Sequence, residues 1–360
     1  MRLEAQRLHL SGALEAIELF FERRWTDGLP VVPPTPEAVE RLIAFSGREP
    51  HEEIGAIPPR WDVATIESLA INSVMAGCKP AYFPVVVAAV EAMLDPLHNL
   101  NGVQVTTHCC VPLVIVGGPV AREIGVHGGI GAFGSGFRAN GTIGRAVRLI
   151  LWNHGGNYPG EPDMSTFAHP GKWTYCIAEN EKASPWEPLH AERGLPAAES
   201  AVTVFSCEAP HSVMCGGTAD QTLRTICSTM ATLGSNNTYS YGQTLVCINP
   251  SIARELEAAG FGRADVKQYL WEHARLPLGQ IRRDGGFAPT AVARWWPKDL
   301  DLEDGSQMMA LVRTPEDILI LVAGPDSGGI FCMLCPGWGD YGGFGVTRRV
   351  AWTPVVGSQA

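Results

Sequence analysis

Two stretches of this chain resemble each other closely enough to indicate that one folding unit occurs twice. Ile71–Gly77 and Pro210–Gly216 both contain Ser-Val-Met followed two residues later by glycine. Two copies of a unit commonly face each other across a pseudo-twofold axis, and their junction is a natural place for a cleft. We therefore expect two similar halves, with reactive residues kept in one copy and absent from the other.

Apolar runs follow in matching order in both halves. Strands are predicted at Val63–Ile66, Val111–Val116 and Tyr175–Ala178 in the first half and at Val202–Phe205, Thr244–Ile248 and Ile318–Val322 in the second. The offset is 139 residues between Asn72 and His211, 132 between Ala121 and Ala253, and 145 between Ala178 and Ala323. Helical segments separate these strands, so the pattern predicts an α/β fold with an internal duplication.

An N-terminal arm precedes the first copy. Leu10, Leu14, Ile17 and Phe21 recur at helical spacing, and the proline-rich segment Trp25–Thr35 is expected to be extended. Thr35 is placed to cap a short second helix. The predicted divisions are the arm at 1–58, the first repeat at 59–198, the second repeat at 199–350 and a C-terminal tail at 351–360.

Composition limits the class of protein. Hydrophobic residues make up 46% of the 360 residues, which predicts a substantial core, and the net charge of −10 argues against nucleic acid as a partner. The sequence has neither an apolar leader nor an apolar run of roughly 20 residues, so we expect a cytoplasmic protein without membrane contact. Most of the ten cysteines are then expected to be reduced thiols.

The repeated turns supply the first candidate catalytic residues. Cys78 and Cys215 each lie in a glycine-containing turn before a predicted helix, where the helix dipole favours a thiolate. His211 occupies the position that Asn72 has in the other copy, and only the histidine can titrate. His211 is therefore a candidate catalytic acid or base, and Asn72 is a candidate substrate-binding residue. A small residue fitted into a tight turn explains the same cysteines without any chemistry.

A glycine-rich loop at 128–136 leads into a helix that begins near residue 142. Free N–H groups at such a helix start, together with arginine side chains, bind carboxylate or phosphate groups. The predicted anion-binding residues are Arg138, Asn140, Gly141, Thr142 and Arg145. A glycine loop that only packs against the other copy is an equal alternative.

Carboxylate and metal chemistry give further candidates. Glu179 follows a predicted strand and is a candidate general acid or base. His108, Cys110 and Cys207 are candidate ligands of a divalent metal, because strand alternation places His108 and Cys110 on one face and Cys109 on the other. The Cys332/Cys335 pair has Cys-x-x-Cys spacing. A second ligand pair is missing, which argues against a structural zinc site, and redox activity of the pair is left open.

Four segments together carry a resemblance to a protein group: Trp25–Thr35, Val74–Pro80, Arg138–Arg145 and Ser184–His190. They resemble bacterial proteins of about this length that are associated with genes for small proteins bearing a UGSC motif (selenocysteine-Gly-Ser-Cys). The motif itself is absent from this chain, and the group has no assigned activity to transfer. The resemblance implies at most a thiol- or selenol-linked reaction and a UGSC-type partner subunit.

Three functions compete at this point. The first is an enzyme that acts on a small organic anion with a cysteine nucleophile and histidine assistance, as a lyase, hydrolase or thiol oxidoreductase. The second is a metal-dependent lyase or hydrolase with histidine and cysteine ligands. The third is a non-catalytic subunit of a thiol- or selenol-dependent complex, or a homo-oligomer. The sequence favours the first.

Overall fold

The computed structural model describes residues 1–285 and 297–352, which contain the following helices and strands. The helices are α1 (Ala13–Glu22), α2 (Pro36–Ser46), α3 (Ile66–Ala76), α4 (Phe83–Met93), α5 (Leu100–Val105), α6 (Pro119–Glu123), α7 (Arg138–Asn153), α8 (Leu189–Glu192), α9 (Ala219–Met230), α10 (Asn237–Ser240), α11 (Pro250–Ala258), α12 (Arg263–His273) and α13 (Leu278–Asp284). The strands are β1 (Glu53–Ile57), β2 (Asp62–Thr65), β3 (Val111–Gly117), β4 (Tyr158–Pro159), β5 (Pro162–Asp163), β6 (Cys176–Ala178), β7 (Ala201–Cys207), β8 (His211–Met214), β9 (Thr244–Ile248), β10 (Arg275–Pro277), β11 (Met308–Ala310), β12 (Ile318–Val322), β13 (Phe331–Pro336) and β14 (Val346–Arg349).

Two four-stranded sheets carry the fold, and they share one arrangement of strand directions. In the first sheet, β3 pairs in parallel with β6 and antiparallel with β7, and β14 closes the other edge by pairing antiparallel with β7. In the second sheet, β9 pairs in parallel with β12 and antiparallel with β13, and β8 closes the edge by pairing antiparallel with β13. The α/β character predicted from the sequence is confirmed.

The sheets pack face to face, with helices covering both outer faces. Leu113 and Phe205 of the first sheet share one buried cluster with Leu245 and Leu321 of the second. Successive residues of a strand point to opposite faces, so the neighbouring side chain of Val114 packs outward in the core that contains α3, α4 and α7. The order of layers is therefore helices, sheet, sheet, helices.

The outer face of the second sheet is covered in the same way. Val246 and Ile320 pack with Leu223 of α9, Leu256 of α11 and Leu270 of α12. All five residues are at most 1% exposed to solvent. Such apolar burial on both faces of a sheet explains why the strands read as continuous apolar runs in the sequence.

Strand pairing differs from the predicted division at residues 198 and 199. Residues 202–205 were expected to open the second repeat, yet they lie in β7, which pairs along its whole length with β3 of the first sheet. β14 also lies inside the predicted second repeat and pairs with β7. Pairing is decided by contacts between distant segments, and an apolar run does not specify its partner. Of the predicted tail, residues 353–360 lie outside the described residues.

The similar segments that suggested the repeat adopt different structures. Residues 71–76 are the last turns of α3, which ends at Gly77 in the left-handed conformation (φ 90°). Residues 211–214 form the edge strand β8. Thr65 caps α3 through a reciprocal capping box with Ser68, and this local signal is missing before β8.

The first 58 residues contain α1, α2 and β1. Thr35 caps α2 as predicted, since its side chain accepts a hydrogen bond from the Ala38 N–H. Within the parts of the chain that the structure describes, no single helix combines the length and apolar character of a membrane span, although the bent pair Pro80–Met93 and Pro96–Val105 passes that test jointly.

Candidate functional site

His108, Cys109 and Glu208 converge where the loop before β3 meets the end of β7. One ligand atom from each side chain lies within 4.8 Å of the other two. All three residues are partly exposed, so a solute can reach them. Nitrogen, sulfur and oxygen donors together suit transition metals of intermediate softness, Zn²⁺ above all.

The loop geometry explains why Cys109, and not Cys110, joins His108. β3 begins only at Val111, and residues 107–108 form a bend, so strand alternation does not apply to His108 and Cys109. The Thr106 hydroxyl accepts a hydrogen bond from the His108 N–H at 3.1 Å. The predicted ligand Cys110 is buried to 1% exposure outside the cluster, which corrects the expected set.

Glu208 is fixed by its backbone on both sides. Its N–H donates to the Pro336 carbonyl at 2.9 Å, and its own carbonyl accepts from the Tyr175 hydroxyl at 3.0 Å. The carboxylate Oε1 then lies 2.6 Å from Nε2 of His108. The predicted ligand Cys207 is the residue before it, and its side chain turns into the layer between the sheets.

The electrostatic surroundings keep Cys109 protonated in the metal-free chain. Burial raises the pKa of its thiol, and the neighbouring Glu208 carboxylate raises it further, whereas Lys172 acts in the opposite direction. Lys172 forms an ion pair with Asp163 at 2.6 Å, with side-chain exposures of 16% and 7%. Burial lowers the pKa of Lys172 itself. A cation beside the thiol favours loss of the thiol proton when a metal binds.

One nitrogen of His108 lacks a partner. Nδ1 is buried, and among residues 1–285 and 297–352 it makes no hydrogen bond. A buried polar atom in this condition costs on the order of 1–3 kcal/mol unless an ion or water satisfies it. The three donor types in the cluster fit a bound metal ion.

A row of buried thiols lies behind this cluster. Tyr175 donates to Glu208 and also lies 3.6 Å from Sγ of Cys207 and 3.8 Å from Sγ of Cys335. Burial raises the pKa of Cys207 well above its usual range, so this thiol stays protonated. Cys332 packs on the other face of β13, which means that Cys332 and Cys335 do not form a dithiol pair.

Cys78 contacts its expected neighbours but is a poor nucleophile. Its thiol donates to the Thr142 carbonyl at 3.3 Å, and Arg138 donates to the Gly77 carbonyl at 2.9 Å. Burial raises the pKa of Cys78 to about 12, against the smaller opposing effect of Arg138. The predicted activation by a helix start is therefore wrong for Cys78, because desolvation outweighs the nearby positive charge.

Cys215 has the opposite character. The neighbouring Cys332 thiol and backbone N–H lower the pKa of Cys215, whose own thiol donates to the Val213 carbonyl at 3.6 Å. The expected partner His211 is exposed and lies four residues away along the chain, at the start of β8. Four strand residues span roughly 13 Å, so the structure does not bring the predicted thiol–imidazole pair together. Cys78 and Cys215 also belong to the cores of opposite outer layers and do not share a cleft.

Glu179 and Arg145 are used to hold the fold together. Glu179 is fully enclosed, accepts from Arg263 at 2.8 Å and from the Leu189 N–H at 2.6 Å, and has its pKa raised by burial. Arg145 makes two bonds to Asp27, at 2.8 and 3.0 Å. Neither side chain is available to a substrate in this arrangement.

The remaining predicted anion-binding residues are also engaged within the chain. Asn140 makes two hydrogen bonds to the backbone of His127, and Asn72 accepts from Asn153 at 2.7 Å. Thr142 donates its hydroxyl proton to the Arg138 carbonyl at 2.8 Å. Gly141 has open space where a side chain would lie. The structure thus spreads this set over several contacts and does not gather it round one ligand.

Cys109, Glu208 and Lys172 were absent from the predicted site. Two signals pointed towards it: the run of His108 with two cysteines, and a carboxylate directly after Cys207. Assigning residues 108–110 to a strand selected the wrong cysteine. Comparisons with models of protein families, with curated proteins and with solved structures find no match. The function is therefore argued from the geometry of this chain alone.

Proposed function

We propose that His108, Cys109 and Glu208 bind a divalent metal ion, Zn²⁺ by preference, and that the protein is a metal-dependent hydrolase or lyase acting on a small organic anion. The observation that supports this proposal is the convergence of three different donor atoms within 4.8 Å. Three protein ligands leave a fourth tetrahedral position for water or substrate, as in catalytic zinc sites.

Each residue then has a defined part. The imidazole, the thiolate and the carboxylate hold the ion, which supplies Lewis acidity and lowers the pKa of a bound water. Lys172, which acts electrostatically on the Cys109 thiol, attracts an anionic substrate group to the same place. Tyr175 and Pro336 fix the Glu208 backbone and so limit the positions open to its carboxylate.

Metal binding is expected to weaken as pH falls. To bind a metal, the thiol of Cys109 must lose its proton, and burial raises the pKa of that thiol. Each bound ion therefore releases a proton, and acid reverses the binding.

The test is reconstitution of the full-length protein. After chelator treatment, we expect one Co²⁺ or Zn²⁺ per chain by elemental analysis, with a thiolate-to-cobalt absorption band that reports the Cys109 ligand. Cys109→Ser and Glu208→Gln should weaken binding more than about a hundredfold, beyond the 10- to 100-fold typical of outer partners. Cys227→Ala, a buried cysteine of the second half, is the matched control. A chain that takes up no ion, or a Cys109→Ser variant that binds normally, would refute the proposal.

A second candidate function rests on Cys215. The interaction between the thiols of Cys215 and Cys332 lowers the pKa of Cys215 and raises that of Cys332, so Cys215 is the more acidic of the two. This pairing supports a thiol-dependent reaction or a thiol-linked partner subunit. Turnover lost in Cys215→Ser but retained in Cys109→Ser and in chelator would favour this candidate over the metal enzyme.

We also propose that the two halves arose by duplication and that residues 1–58 are an arm added to the first. The identical order of strand directions in the two sheets supports the duplication. The arm is tied to the first half by the Arg145–Asp27 ion pair, whose side chains are 15% and 5% exposed. A swap of β8 for the β14 sequence that preserved folding would strengthen the common origin.

A further inference from the structure

A cleft of about 940 Å³ lies far along the chain from the metal cluster, between the N-terminal segment and α3. The volume falls within the range of small-molecule pockets, which is about 300–1,000 Å³. Neither His108, Cys109 nor Glu208 lines it. The cleft is therefore a separate candidate binding site, and a ligand bound there would be independent of the function proposed above.

The floor of the cleft is apolar. Ala16, Phe20, Val39 and Met75 line it and are buried to between 2% and 7% exposure. Ile71 is partly exposed at the same surface and packs against the core of the first half. Apolar surface that remains open to a cleft of this size favours a ligand with an apolar body.

The roof is the segment that precedes α1. Glu67 on α3 is 4% exposed, and its carboxylate accepts the N–H groups of Glu4 and Ala5 at 2.9–3.1 Å. These bonds hold Leu3, Leu8 and the residues between them over the cleft. The hydrogen bonds direct the Glu67 oxygens towards the backbone of the N-terminal segment.

The charged lining is otherwise positive. Arg7, Arg23 and Arg60 line the cleft, and Glu67 is the one carboxylate among the lining residues that the structure describes. Arg60 is held by Asp62 at 2.7 Å. Arg23 lies over the Trp25 ring at 5.7 Å and makes no ion pair within the described chain, so its guanidinium is free to bind a ligand anion.

We propose that this cleft binds an organic carboxylate with an apolar body, whose apolar part packs on Phe20 and Met75 and whose carboxylate binds Arg23. The guanidinium of arginine matches a carboxylate geometrically and makes charge-assisted hydrogen bonds to it. An amine of the same length meets like charges at Arg7 and Arg23, and an alcohol loses the ionic contact.

Calorimetric titration with decanoate, decanol and decylamine tests the ligand class. Decanoate should bind once per chain and about tenfold more tightly than decanol, while decylamine should bind least. Arg23→Gln should remove the tenfold advantage of decanoate over decanol, and Arg224→Gln on the exposed face of α9 should keep it. Equal affinities for the three probes, or an unchanged preference in Arg23→Gln, would overturn the proposal.

A second measurement does not depend on any variant folding. In protein with labelled methionine methyl groups, decanoate should shift the resonance of Met75, which lines the cleft, and leave that of Met230 in the second half unchanged. Shifts at both residues, or at neither, contradict binding in this cleft. Repeating the titration in metal-loaded and chelated protein separates this proposal from the metal site, because the two share no residue.

Discussion

The second sheet is built from one continuous stretch of chain, whereas the first sheet is closed by a strand from the far end. Strands β8, β9, β12 and β13 all lie within 211–336. Strand β14 belongs to the first sheet but follows all four of these strands in the chain. Equal strand order therefore does not imply equal assembly. The first half depends on contacts between segments that are more than 130 residues apart, such as Val204 with Val346.

The ends of the parallel edge strands show a second difference between the halves. The backbone N–H of Glu179 bonds to the Val116 carbonyl, and that of Ala323 bonds to the Ile248 carbonyl. Ala323 therefore matches Glu179, which corrects by one residue the match with Ala178 expected from the sequence. The first half carries a buried carboxylate where the second carries a methyl group. Glu179 binds Arg263 of α12 at 2.8 Å, which ties the first half to the second.

Glu179→Ala makes the two strand ends alike and should have the largest effect. The substitution leaves Arg263, which is 8% exposed, without its closest carboxylate, and breaking a buried pair in this way costs about 3–5 kcal/mol. The free energy of unfolding in urea measures the loss. Arg224→Ala, which breaks an exposed pair with Asp220, should cost less than about 1 kcal/mol. Similar losses for both variants would show that the buried pair does not join the halves.

Acid should weaken the join between the first half and its distant strand. His98 contacts the Phe344 carbonyl at 3.2 Å and the Ser206 hydroxyl at 3.1 Å, and burial lowers its pKa from 6.5 to about 4. Because the unfolded chain binds the proton more readily, stability is complete above pH 6.5 and is lost as pH falls towards 4. The loss amounts to about 3 kcal/mol.

Urea unfolding of the native protein and His98→Gln between pH 7 and pH 4 measures this effect. The variant should show a pH dependence smaller by about 3 kcal/mol, since glutamine does not titrate in this range. Equal pH dependence in the two proteins would mean that His98 is not the titrating group at this join.

Cys78 and Cys215, which follow two similar sequence segments, should differ in thiol reactivity. Cys78 and Cys215 are similarly inaccessible, at 8% and 4% exposure, but the pKa of Cys78 is raised to about 12 and that of Cys215 is lowered. A short iodoacetamide pulse near neutral pH should label Cys215 at least roughly a hundredfold faster, because the thiolate is the reactive form. Peptide mapping by mass spectrometry gives both rates.

Cys332→Ser sharpens the same comparison. The variant replaces the thiol that lowers the pKa of Cys215, so labelling of Cys215 should change while labelling of Cys78 stays as it was. On raising the pH, the rate at Cys215 should level off first and that at Cys78 should continue to rise. Equal labelling of the two cysteines would remove the proposed difference between them.

The sequence located the candidate metal site to within one residue at each of the two segments that form it. His108, a predicted metal ligand, lies in the cluster, and a histidine beside cysteines is a recognisable set of donors in the sequence. Its partners were each misplaced by one residue: Cys110 for Cys109 and Cys207 for Glu208. The bend at residues 107–108 and the end of β7 decide these positions, and the bend itself contains no glycine or proline.

The predicted anion site could not have been corrected from the sequence. Arg145 carries the same signal whether it binds a substrate or Asp27, which is 118 residues away in the chain. Glycines and a following helix indicate where an anion could bind, but they do not show which groups of the protein already fill the place. Only contacts between distant segments distinguish the two.

The sequence by itself determined the local structure: the apolar runs that become β3, β9 and β12, the Thr35 cap of α2, and an α/β composition. These follow from periodicity and capping, which act over a few residues. The tertiary structure decided the layering of the two sheets, the arrival of β14 at the first sheet and the environments of Cys78 and Cys215. Burial and strand pairing depend on which distant segments meet, and that information belongs to the folded chain as a whole.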